Sequence, residues 1–98
     1  RKGEDAEAIG AKYRENCYPI ISDVTAEAVG EKIAEVLGRH TESLDLLINN
    51  AGSIKKNRGL LGTNPEELVE HFNVHVVGVY RCTAAALTFL LKAEKPVI

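Results

Sequence analysis

The chain has 98 residues, enough for one small domain, and its balance of 45% apolar and 27% charged residues is that of a globular protein. A net charge of −2 with no basic stripe excludes a nucleic-acid footprint. Cys17 and Cys82 stand far apart without CxxC or metal spacing, which argues against a disulfide framework and fits reduced thiols in the cytoplasm. The chain opens on Arg1 and closes on Pro96-Val97-Ile98, so both ends read as cuts through a longer protein.

Glu4 to Glu15 has helical spacing, with Ala6, Ile9 and Tyr13 on one face. Cys17 to Val24, "CYPIISDV", is a short apolar run that suits a strand, with Pro19 at its start or on an edge. Thr25 can cap a second helix that buries Val29, Ile33, Val36 and Leu37, and the polar stretch Gly38 to Ser43 ends it. Leu44 to Asn49, "LDLLIN", is a nearly continuous apolar run, as in a parallel strand covered on both faces. Ser53 to Thr63 is a basic, glycine-containing loop. Asn64-Pro65-Glu66-Glu67 then carries three helix-start signals: an N-cap amide, a proline at the first helical position and a carboxylate three residues after the cap. That helix is predicted to run to about Lys92, and Pro96-Val97-Ile98 to open a third strand.

Strands alternating with helices predict an α/β fold with a parallel sheet wound on both faces. Ligands of such sheets lie outside the carboxyl ends of the strands, here Asp23-Val24 and Asn49 to Gly52. At Asn50-Ala51-Gly52, small residues let a flat ligand approach the backbone, and amides offer donors and acceptors. A tight turn would use the same residues. The Asp23 carboxylate can accept from an adenine amino group, or can favour the dipole of the helix that follows.

Taken together, "ISDVT", "LDLLINNAG" and "EELVEHFNVHVVGVYRCTAAALTFLL" resemble the short-chain dehydrogenase/reductase family over nearly the whole chain. Asn49-Asn50-Ala51-Gly52 matches the family's Asn-Asn-Ala-Gly motif, and Asp23-Val24 its Asp-Val pair. The resemblance implies a Rossmann-type doubly wound parallel sheet. Residues 1–98 would be its middle section, lacking the first strands and the catalytic C-terminal part. It implies an NAD(P)-dependent oxidoreductase that moves a hydride between a nicotinamide and a carbonyl or alcohol, with NADP favoured over NAD. Asp23 and Val24 would line the adenine, and Asn50, Ala51 and Gly52 would lie against the cofactor. Asn49 would tie neighbouring strands together. Arg1 would hold the 2′-phosphate of NADP, with Lys2 as a helper, since a guanidinium fork pairs with phosphate oxygens. A solvated surface charge is the competing reading of Arg1.

The chain also departs from that family. The family's Phe-Asp-Val-Asn-Val-Lys-Gly-Val appears here as Phe72-Asn73-Val74-His75-Val76-Val77-Gly78-Val79. His75 therefore stands at the position of the amide that supports the catalytic proton relay. It can donate and accept, but not with the geometry of an amide, and a packed structural histidine is its rival reading. None of Tyr13, Tyr18 and Tyr80 has a lysine four residues later, so the family's Tyr-x-x-x-Lys pair is absent, as is its glycine-rich phosphate loop. The alternative function is a non-catalytic cofactor-binding or structural subunit of a larger assembly.

His71 and His75, four apart, have zinc-chelating spacing but no third ligand in view, so no metal is expected. Val74 to Leu91 is nearly uncharged, yet His75 and Arg81 within it would be costly in lipid, so no membrane span is expected. The resemblance implies instead a homodimer or homotetramer packed through the 64–91 helix, with Ala84, Ala85, Leu87, Thr88 and Leu91 permitting close approach.

Overall fold

A computed structural model of the chain describes residues 2–13, 15–52, 62 and 64–98. Helix α1 spans Lys2–Lys12 and is shorter than its periodicity predicts. The predicted apolar face is not its buried face: Ile9 and Tyr13 are both more than half exposed, while Gly10 is buried. Gly10 lies against Pro19, where a Cβ would stand 2.6 Å from the proline Cγ. Periodicity defines a stripe on a helix, but backbone approach decided what this helix touches.

Helix α2 spans Val29–His40 and starts later than expected. Thr25 does not cap it. Both Thr25 donors go back to Asp23, with the N–H at 2.9 Å and the hydroxyl at 2.8 Å from Oδ1. The chain instead makes a turn closed by the Ala26 N–H on the Asp23 carbonyl at 2.9 Å. A short polar side chain bonding to its own neighbourhood competes with helix nucleation in this way. Within α2, Val29 is buried and Ile33, Val36 and Leu37 are half-buried, as the pattern predicts. At its C-terminal end, the His40 ring stacks on Tyr18 with centroids 3.6 Å apart.

The sheet differs most from expectation. Among the described residues there is one parallel bridge, Leu46 to Val97. It is made by the Leu47 N–H on the Val97 carbonyl and the Val97 N–H on the Asp45 carbonyl, each at 2.9 Å. Nor is Leu44 to Asn49 covered on both faces, since Leu46 and Ile48 are 52% and 71% exposed. Cys17 to Val24 is extended but joins no ladder among the described residues. A strand is defined by its neighbours, and an apolar run without a second strand beside it cannot form a ladder.

The predicted long helix is broken. Helix α3 spans Pro65–Phe72, a π-helical turn spans Asn73–Val77, and helix α4 spans Gly78–Leu90. The Gly78 N–H reaches back five residues to the Asn73 carbonyl. The wider turn rotates α4 relative to α3.

α4 buries Gly78, Cys82, Ala86 and Leu90, one residue every four. That stripe and Val29 of α2 form the core. Gly30 of α2 faces Ala85 of α4, where a Cβ would lie 3.5 Å from the alanine methyl. Rows of small residues four apart let two helices approach closely.

The start of α3 follows the sequence signals closely. Asn64 is the N-cap, and its side chain accepts from the Glu67 N–H at 2.9 Å. Replacing Asn64 with Ala should lower stability by about 1 kcal/mol. Urea unfolding monitored by far-ultraviolet circular dichroism would measure it, and an unchanged midpoint would remove the cap from the account.

Candidate functional site

The two predicted strand ends converge. Val24, Asn50 and Ala51 line one cavity of about 220 Å³, together with Val74, Gly78 and Cys82 from the long helical segment. A larger apolar groove of about 420 Å³ runs between Tyr18, Leu44, Ile48 and α2, but it contains none of the candidate site residues.

Each element positions its contribution for a local reason. The apolar run Leu44 to Ile48 is anchored at its start by the Leu44 N–H on the Phe89 carbonyl at 2.9 Å. The run delivers Asn49 to Gly52 at its carboxyl end. Asn49 Nδ2 donates to Thr83 Oγ1 on α4 at 3.3 Å, so the bond seen for this amide ties the run to a helix rather than to another strand. Asn50 and Ala51 line the cavity yet are exposed, and Gly52, also exposed, follows them outside its lining. The Asp23 turn is held from two sides. The Lys32 ammonium of α2 donates to the Ile21 carbonyl at 3.2 Å, and the Arg81 guanidinium of α4 donates to the Thr25 carbonyl at 2.9 Å.

Gly78 has a specific purpose. A Cβ there would stand 2.9 Å from Val24 Cγ2, so α4 lies against Val24 more closely than any larger residue permits. Its sequence signal was a glycine inside a valine-rich helix, which costs about 1 kcal/mol relative to alanine and so implies a packing reason. Arg81 and the π turn were not anticipated. Nothing in spacing marks a lone arginine as reaching across the fold, and an extra residue in a helical turn has no residue signature.

His75 lies within the π turn, exposed, and its ring approaches Gly52. A Cβ on Gly52 would stand 3.1 Å from His75 Cε1. His75 also stacks on His71, with centroids 5.8 Å apart and planes 9° from parallel. Among the described residues, no three of His, Cys, Asp and Glu are grouped to hold a metal ion. Arg1 lies outside the described residues. The site thus brings Val24, Asn50 and Ala51 to one cavity, with Asp23 next to Val24 in the chain and His75 beside Gly52.

Both cysteines are free thiols. Burial pushes the Cys82 thiol up, because the thiolate is disfavoured away from water. The unfolded chain then releases that proton at lower pH than the folded chain. The stabilisation is full below the unfolded thiol's pKa and fades as pH rises above it. Thermal melts should therefore fall on entering the alkaline range, and Cys82→Ala should remove part of that fall. Alkylation of the folded protein should label half-buried Cys17 before Cys82; equal labelling rates would contradict the burial.

Comparison with known proteins bears on this arrangement. Residues 1–98 match the family model described as short chain dehydrogenase. Over 77 residues the chain is 40% identical to the short chain dehydrogenase tazN of Aspergillus terreus, covering 79% of this chain and 17% of that protein. Over 76 residues it is 33% identical to the short chain dehydrogenase pigC of Monascus ruber, covering 78% of this chain and 25% of that one. A crystal structure of a short-chain dehydrogenase from Streptomyces avermitilis superimposes with a TM-score of 0.69 at 34% identity, over 86% of this chain and 30% of that one. The chain spans well under half the length of these relatives.

Proposed function

Because the chain belongs to the short-chain dehydrogenase family, an oxidoreductase family, we propose that it is the cofactor-binding middle of an NAD(P)-dependent enzyme. That enzyme moves a hydride between a nicotinamide and a carbonyl or alcohol. Residues 1–98 would be the central part of one Rossmann-type domain in the cytoplasm. The observation that carries this reading is the shared cavity of Val24, Asn50 and Ala51, drawn from sequence positions far apart. At about 220 Å³ it is smaller than the roughly 300 Å³ at which whole-ligand pockets begin, and suits one flat part of a dinucleotide.

The residues present fit such a group. Val24 and Ala51 offer apolar contact to a ring, and Asp23 offers a carboxylate to an exocyclic amino group. Asn50 supplies both donor and acceptor, and Gly52 keeps the backbone open beside it. Arg1 would pair with a 2′-phosphate, which favours NADP over NAD. The cofactor, when bound, supplies the hydride. His75 would hold or pass a proton at a ring nitrogen at the nicotinamide edge, in place of an amide. An exposed apolar stripe of Phe72, Val76, Tyr80, Leu87 and Leu91 supports self-association into a homodimer or homotetramer through this helical segment. Ala85 faces α2 instead and would not join that interface. Among the described residues no helix is long and apolar enough to cross a membrane.

The second reading is a non-catalytic, cofactor-binding member of the family. The imidazole at position 75 favours it, because a ring cannot copy an amide's geometry. Loss of dihydronicotinamide absorbance with a panel of aldehydes and ketones separates the two. On the enzyme reading the full-length protein consumes NADPH, and His75→Asn raises turnover by about tenfold or more. If neither protein consumes it while both bind it, the non-catalytic reading stands.

Cofactor choice has its own test. Arg1→Glu should weaken NADPH by about tenfold or more and leave NADH nearly unchanged. Equal loss for both would remove Arg1 from the phosphate site.

A further inference from the structure

We propose that Arg81 is a positioning residue for the adenine side of the cofactor site, a role that rests on the reading of Asp23 and Val24 given above. Arg81 is half-buried on α4 and does not line the cavity. Its Nη1 donates to the Thr25 carbonyl at 2.9 Å across 56 positions of sequence. The same Thr25 turns its other polar groups to Asp23, with N–H and hydroxyl at 2.9 and 2.8 Å from Oδ1. Thr25 is therefore a relay: its carbonyl is fixed by the guanidinium, and its donors fix the carboxylate.

The direction of this bond matters. Three residues earlier, Gly78 meets Val24 on the same face of α4, where a Cβ would be 2.9 Å from Val24 Cγ2. That contact sets how near the turn lies to the helix, but apolar contact has little orientation. A hydrogen bond from an ionised donor does, and it is the stronger kind. The bonds within the turn, such as the Ala26 N–H on the Asp23 carbonyl, shape it without fixing it to the rest of the fold. The Lys32 bond holds it upstream, at the Ile21 carbonyl. Among the described residues, Arg81 is the anchor downstream of the carboxylate. Arg39 offers the contrast: its guanidinium pairs one turn away with Glu35, exposed on both sides, and fixes nothing distant.

The test compares two probes on the full-length protein: NADPH, and reduced nicotinamide mononucleotide, which lacks the adenosine half. Dissociation constants come from dihydronicotinamide fluorescence. Arg81→Met is expected to weaken NADPH about threefold to tenfold and leave the mononucleotide unchanged. Arg81→Lys, which keeps a charged donor, should recover most of the loss. Equal weakening of both probes would mean general loosening and would overturn the proposal. So would unchanged NADPH binding in Arg81→Met when Asp23→Ala weakens it. If Asp23→Ala binds NADPH as well as the wild type does, the adenine reading itself has failed, and the role of Arg81 falls with it.

Discussion

The close approach of α4 to its neighbours is the constraint on which the rest depends. Gly78, Cys82, Ala86 and Leu90 put small or medium side chains every four residues along one face. That spacing lets α4 lie against α2, against Val24 and, through the Thr83 hydroxyl, against Asn49. The apolar run, the Asp23 turn and α2 are thus referred to the same helix. Among the described residues, little else is buried. The chain's radius of gyration is 15.6 Å, against about 13 Å for a compact domain of this length, and its core is a seam rather than a centre.

The π turn gives that helix its second property. It adds a residue between α3, which buries nothing, and α4, which carries most of the core. It also sets His75 at the break, beside Gly52. π turns of this kind recur at functional sites. The chemistry proposed for this chain therefore sits beside a break in a helix.

Much of this was legible in the residues. Asn64-Pro65-Glu66-Glu67 announced the start of α3, because capping is local and needs only adjacent groups. The spacing of Val29, Ile33, Val36 and Leu37 announced the inward face of α2. The Asn-Asn-Ala-Gly turn and Asp23-Val24 identified the two strand ends that meet. What failed was what local pattern cannot carry. Thr25 has the chemistry of a cap, yet Asp23 was nearer. "CYPIISDV" and "LDLLIN" have strand composition, yet a ladder needs a partner, and only Val97 supplies one among the described residues. Arg81 was missed because its meaning lies wholly in a residue 56 positions away.

The single bridge has a further consequence for how the polypeptide behaves in solution. Leu47 and Asp45 spend their backbone groups on Val97, so the even-numbered Leu46 and Ile48 direct theirs to the opposite edge. Their side chains, on one face of the run, are apolar and open, Leu46 at 52% and Ile48 at 71% exposure. α4 meets that edge at its start, where the Phe89 carbonyl takes the Leu44 N–H; beyond it no described strand pairs with the run, and an apolar edge of this kind is a template for cross-β stacking between copies. Asp45 is the one charge in Leu44 to Asn49, and the run holds neither Lys nor Pro. The six-residue run that brings Asn50 and Ala51 to the cavity is therefore also, among the described residues, an apolar stretch through which copies of the chain can pair.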